Sequence, residues 1–139
     1  MSARLAYQSL YGAPPSLSDL EALAEEAYAT IPGELRRHVH GVAIRVEDFP
    51  DEETLDELGV DEPFDLLGLY RGVDLMQKSL SVTAQDVDMI FLYRRPILDY
   101  WCDSGEELMD VVRHVLIHEI GHHFGLSDED MERIEALDD

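Results

Sequence analysis

Apolar residues recur along this chain in two rhythms, one of three to four residues and one of two, and the switch between them marks out its elements. Leu20, Leu23, Ala24, Ala27 and Ile31 fall on one helical stripe. Ser18 with Glu21 reads as a capping box that opens this helix, and Pro32-Gly33 closes it. Val42-Ala43-Ile44-Arg45-Val46 alternates as a strand, with Val42, Ile44 and Val46 on one face. Residues 66–70 and 89–93 read as two further strands, and 71–81 between them holds a turn signal at Gly72 and another short strand. Pro96 then breaks the pattern, and a capping box at Ser104 and Glu107 opens a long helix. Ser127 is placed to cap a last short helix with Met131, Ile134 and Leu137 as its apolar positions. Residues 1–17 lack periodicity and read as an irregular lead-in to a single domain over 18–139. The order of helix, strands, long helix and short helix predicts an α+β fold.

Composition narrows the partners. The chain has 139 residues, 45% of them hydrophobic, enough for one core. Ten basic residues stand against thirty-one acidic ones, a formal charge of -21. Such a surface repels nucleic-acid phosphates and anionic membranes, so neither is expected as a partner. Cys102 is the single cysteine, which excludes an intramolecular disulfide and a thiolate zinc cluster. Residues 1–10 lack the basic start and apolar run of a signal peptide, and no apolar stretch is long enough to span a membrane. A cytoplasmic location is expected. Seven carboxylates crowd residues 51–62, but without the ligand order or central glycine of a calcium loop. A solvated helix ending at Gly59 is expected there.

The chemistry concentrates at His118-Glu119-Ile120-Gly121-His122-His123-Phe124-Gly125-Leu126-Ser127-Asp128, which reads HExxHxxGxxD. HExxH alone is expected by chance about 0.03 times in a chain of this composition. On a helix, His118 and His122 stand about 40° apart and one turn along the axis, so both imidazoles can hold one metal ion. Glu119 lies about 60° from His122, beside the ion, where it can act as general base on water. Zinc is the metal this ligand set favours. Gly125 can take the left-handed conformation that ends the helix, and the reversal can bring Asp128 back as third ligand. Glu129, Glu132 and Glu135 are rivals for that place, and Asp128 can instead serve the final helix's dipole. Gly121 either permits a close backbone approach near the site or is a matter of packing. His114 either lines the cleft or sits on its rim. His123 turns toward the core side, and His38 and His40 show no ligand spacing. Tyr70, Tyr93 and Arg94 are candidates to stabilise an oxyanion.

Four stretches together resemble the small zincin-like metallopeptidases. They are Val46-Glu47-Asp48-Phe49-Pro50-Asp51-Glu52, Leu66-Leu67-Gly68-Leu69-Tyr70-Arg71-Gly72, Ile90-Phe91-Leu92-Tyr93-Arg94-Arg95-Pro96-Ile97-Leu98, and residues 118–130. The resemblance runs over roughly residues 20 to 137. It implies a minimal zincin-like fold, with a small mixed sheet packed on an active-site helix and a short C-terminal helix. It further implies His118, His122 and Asp128 as zinc ligands and Glu119 as the catalytic base. In zincins an edge strand receives the substrate as an added strand, here residues 89–93 or 74–82. The motif is also similar to that of metzincins, but Asp128 stands where they carry a histidine. Met131 follows too soon to form their methionine turn.

The expected activity is therefore a zinc-dependent peptidase acting on extended peptides or unfolded protein. The alternative is a non-catalytic zincin-fold protein that keeps metal as a staple or binds a partner. Glu119 separates the two, because a purely structural metal has no use for a base beside it.

Overall fold

The first helix, α1 (Leu17–Ala29), begins two residues before the position that Ser18 and Glu21 imply, in a computed structural model that describes residues 13–39, 41–72 and 87–137. Ser16 is the cap: its hydroxyl accepts the Asp19 N–H at 3.1 Å, and the Asp19 carboxylate accepts the Ser16 N–H at 2.8 Å. Asp19 closes the reciprocal pair as well as a glutamate would, so the earlier serine wins. Leu20, Leu23, Ala24 and Ala27 are buried on one stripe as the spacing requires.

A short helix, α2 (Gly33–Arg36), leads to β1 (Ala43–Glu47). The acidic run folds as α3 (Glu52–Leu58), capped by Asp51, ended by Gly59 at φ 67°, and with no buried residue. A 3-10 turn (Pro63–Asp65) precedes β2 (Gly68–Arg71), and β3 (Met89–Tyr93) follows. The further strand expected within 71–81 lies almost wholly outside the described residues.

The next element was not foreseen. α4 (Arg94–Ser104) starts directly from β3, and Pro96 sits in its first turn, where a proline's missing N–H leaves no bond unmade. Ser104 is accordingly the end of α4 rather than the cap of the next helix. Its hydroxyl donates to the Trp101 carbonyl and accepts the Glu106 N–H, and Gly105 at φ 73° turns the chain. α5 (Leu108–His123) then starts after Glu107, which makes no side-chain cap. α6 (Asp128–Glu135) is capped by Ser127, which accepts the Asp130 N–H, and buries Met131 and Ile134. Leu137 stays exposed.

The sheet has the order β1-β3-β2, with β1 parallel and β2 antiparallel to β3. β3 is therefore the central strand and cannot be the edge that accepts an added one. Among the described residues the edges are β1 and β2, and β2 is the one packed beside the long helix that carries His118; the other expected edge, residues 74–82, lies outside the described residues. Tyr93 donates its N–H to the Leu67 carbonyl, so alternation turns the N–H and C=O of Gly68 and Tyr70 toward the open side. Ile90, Leu92 and Tyr70 face the core, where α1 and α5 pack against each other and against the sheet. Arg45, Glu47, Leu69, Arg71, Phe91 and Tyr93 face the other side, toward α3. This is an α+β fold. No helix among the described residues is long and apolar enough to cross a membrane.

Candidate metal centre

α5 owes its position to residues that are apolar nearly all round. Val111, Val112, Val115, Leu116, Ile117 and Ile120 are all buried, which fixes the rotation of the helix and sends His114, His118 and His122 down one side. The helix ends as Gly125 requires. Gly125 sits at φ 76° and donates to the His122 carbonyl, while Leu126 donates to that of Gly121. The chain turns, and α6 runs back beside the histidines.

Two carboxylates meet them. Asp128 brings Oδ1 to 3.7 Å from His122 Nε2, with the two side chains 86% and 56% exposed. Asp128 is also the first residue of α6, in the turn where a negative charge suits the helix dipole. Further along α6, Glu135 receives His114 Nδ1 at 2.9 and 2.8 Å on its two oxygens. Its Oε1 lies 3.4 Å from His118 Nε2. His114, His118 and Glu135 thus form the one three-ligand cluster among the described residues whose donor atoms lie close together. The pairing of His114 with Glu135 was missed at the level of sequence, although the spacing His114, His118, His122 already put all three rings on one side of the helix.

His118 carries the most telling atom. Its Nε2 is buried and makes no hydrogen bond: Glu135 Oε1 stands 3.4 Å away, but both Glu135 oxygens are engaged by His114. Burial, and secondly the neighbouring His114, hold its pKa below the ordinary histidine value, so the neutral, metal-binding form is favoured. The rings of His118 and His122 stand 5.8 Å apart at 80°, and those of His114 and His118 4.0 Å apart at 32°.

Glu119 points to the sheet side of this group. Burial raises its pKa to about 7, opposed by His122 and by the backbone N–H of Tyr70 on the open edge of β2. Glycines allow this approach. A Cβ at Gly68 would stand 2.8 Å from Val115 Cγ1 and 3.4 Å from Glu119 Cγ. Gly121 does serve a close approach, and the neighbour is α6, since a Cβ there would stand 2.7 Å from Met131 Cγ.

The remaining candidates fall elsewhere. Tyr70 donates its hydroxyl to Asp88 at 2.6 Å and stacks on His123, whose ring packs over Gly72. Arg94 is committed to the Pro15 carbonyl and to Asp48. Tyr93 lies on the outer face of the sheet. His38 meets Phe124 through its ring. His40 is outside the described residues.

The sequence profile of the family described as Zincin-like metallopeptidase matches residues 39–137, well over half of the chain. The chain belongs to the zincin-like metallopeptidase family. None of the curated proteins matches it in sequence. A zincin-like protein is built around a divalent metal, typically zinc, and the unpartnered, buried His118 Nε2 among imidazoles and carboxylates is chemically suited to one.

Proposed function

We propose that this chain is a zinc-dependent peptidase, with His118 and His122 holding the ion, Asp128 as third protein ligand and Glu119 as general base. The single observation that carries the reading is the Glu119 carboxylate, drawn into a partly buried place beside His118 and His122 and raised in pKa to about 7. A carboxylate that merely decorates a surface has no such shift, and one tuned to neutrality suits proton transfer at working pH.

When bound, zinc supplies Lewis-acid polarisation of the scissile carbonyl and acidifies water. The other steps belong to the chain. Glu119 takes a proton from the attacking water as its oxygen bonds to the carbonyl carbon. Glu119 then gives that proton to the amine nitrogen as the C–N bond breaks. His118 and His122 would hold the ion through their ring nitrogens. Asp128 is favoured over Glu135 as third ligand because Glu135 is held by His114 through both oxygens, whereas Asp128 is uncommitted beside His122. Gly68 offers its outward N–H and C=O and Tyr70 its outward C=O to an extended peptide lying as an added strand, while the Tyr70 N–H is engaged by Glu119.

One observation favours a second reading. The cluster of His114, His118 and Glu135 ties α5 to α6, and an ion held there is a staple that leaves Glu119 without a task. The experiment measures zinc content and cleavage of a peptide library for wild type and Glu119→Gln. Zinc retained by both, with cleavage by wild type only, is the expected result. Zinc in both with no cleavage by either supports the staple. Equal cleavage by both removes the mechanism.

A further inference from the structure

We propose that the cleft between the outer face of the sheet and α3 is a binding site for a basic side chain, an arginine or lysine of the substrate peptide. The peptide as bearer of that cation rests on the peptidase reading above; the cationic site itself does not.

The cleft has a volume of about 260 Å³, below the range of whole small-molecule sites and suited to one long side chain. Glu47, Asp51, Glu53 and Glu57 stand round it, with Arg71 the only cation among the lining residues. Arg71 is already bonded to Glu57 at 3.0 Å. Carboxylates on an exposed helix usually signify solvation alone, so a second feature decides the matter. Tyr93 is 2% exposed, yet it lines this cleft, and no hydrogen bond among the described residues engages its hydroxyl, which is not sealed from the cleft. Burial raises its pKa to about 12, with Glu47 and Asp51 adding to the rise and Arg71 opposing it. Tyr93 thus brings a hydroxyl to the wall of a cleft lined by four carboxylates. Phe91 adds an aromatic face, to which a guanidinium or ammonium group is attracted.

The arrangement favours an extended organic cation over a metal ion. The cleft carboxylates do not converge: the one place among the described residues where three ligand atoms gather is at His114, His118 and Glu135. A guanidinium can reach several separated acceptors at once, whereas a metal needs them on one centre. Reach is also satisfied. A peptide along the open edge of β2 lies about 4.8 Å from that strand and turns alternate side chains to the outer face. A long basic side chain then crosses Leu69 and Arg71 to the cleft, while the peptide backbone stays beside Glu119.

The test titrates the isotope-labelled full chain with Nα-acetyl-arginine amide and, as a neutral isostere, Nα-acetyl-citrulline amide, following backbone amides by NMR. Arginine is expected to bind about 5- to 20-fold more tightly than citrulline at low salt, with shifts centred on Leu69, Phe91 and Tyr93, and to lose most of that margin in 0.5 M NaCl. Glu53→Gln and Tyr93→Phe should each reduce the margin; Glu53 has no partner to lose, and the Tyr93 hydroxyl has none either. Equal binding of the two probes, shifts located elsewhere, or a margin unchanged by both variants overturns the site. Calcium producing the same shifts at lower concentration than arginine also overturns it, in favour of a metal. Cleavage of a peptide library is read separately. Arginine binding in the cleft without any hydrolysis keeps the site and removes the peptidase reading. Hydrolysis with no preference for basic residues, together with equal probe binding, keeps the peptidase and removes the site.

Discussion

Met131 on α6 occupies the space that a side chain at Gly121 on α5 would need. A Cβ at Gly121 would stand 2.7 Å from Met131 Cγ and closer still to the sulfur, and Met131 is fully buried. The contact sets how near α6 comes to the metal-binding face. Alanine in place of a mid-helix glycine ordinarily stabilises by about 1 kcal/mol. Overpacking a filled core costs about 1–3 kcal/mol. The second effect is expected to win, so Gly121→Ala should lower stability to urea, and zinc affinity should fall as α6 is pushed away. Gly121→Ala with Met131→Ala should cost less than the two single changes added together. Additive costs would show that the two residues do not share one space.

Glu119 ties stability to pH in the metal-free chain. Its folded pKa is raised from 4.5 to about 7, chiefly by burial. Between those values the unfolded chain gives up a proton that the folded chain keeps. Stability therefore falls as pH rises through the window and is level above it. Glu119→Gln removes this dependence. Relative to wild type, the variant should gain about 1–3 kcal/mol between pH 4.5 and pH 8. Chemical denaturation in the presence of a chelator checks it. A difference between the two proteins that stays constant with pH would mean that Glu119 is not desolvated.

Much of this arrangement is legible in the residues, and the failures have local causes. The central strand 89–93 is read with its bounds because five consecutive strand-forming residues end at a charged pair, Arg94-Arg95. Gly125 and Ser127 are read because a left-handed position and an N-cap each demand a particular residue type. α4 is not, because a proline two residues into a segment looks like a breaker until its place in the first turn is known. Strand order is not readable either: β1 and β2 precede β3, and nothing in their patterns says that β3 enters between them. The pairing of His114 with Glu135 depends on how far α6 folds back along α5. That distance is set by the Gly121 and Met131 contact, which leaves only a glycine and a methionine as its mark in the chain.

The contest for the third ligand is open to direct measurement. Asp128→Ala, Glu132→Ala, Glu135→Gln and His114→Ala are compared for zinc affinity by competition with a chromophoric chelator. Asp128→Ala should weaken binding about 10- to 100-fold or more, as loss of a ligand does, and Glu132→Ala hardly at all. With Asp128 as the ligand, Glu135→Gln and His114→Ala should fall between them, since the His114 ring lies 4.0 Å from that of His118 and Glu135 holds His114. A greater loss for Glu135→Gln than for Asp128→Ala would transfer the ion to the cluster of His114, His118 and Glu135.

Gly68 offers the sharpest separation of geometry from metal binding. A Cβ there would stand 2.8 Å from Val115 Cγ1 and 3.1 Å from the Phe91 carbonyl oxygen. The valine methyl can give way, but the carbonyl belongs to the central strand and cannot. Gly68→Ala should therefore push β2 and α5 apart at the level of Glu119, whose Cγ lies 3.4 Å from the same point. Stability should drop by about 1–3 kcal/mol. Displacing a base by a fraction of an ångström costs more in rate than in folding, so kcat/KM should fall about 10- to 100-fold while zinc affinity stays near wild type. Adding Val115→Ala removes one of the two clashes and should return part of the stability but little of the rate, because the carbonyl still sets the spacing. If rate and stability recover together, the methyl contact governs both, and β2 does not hold Glu119 in place.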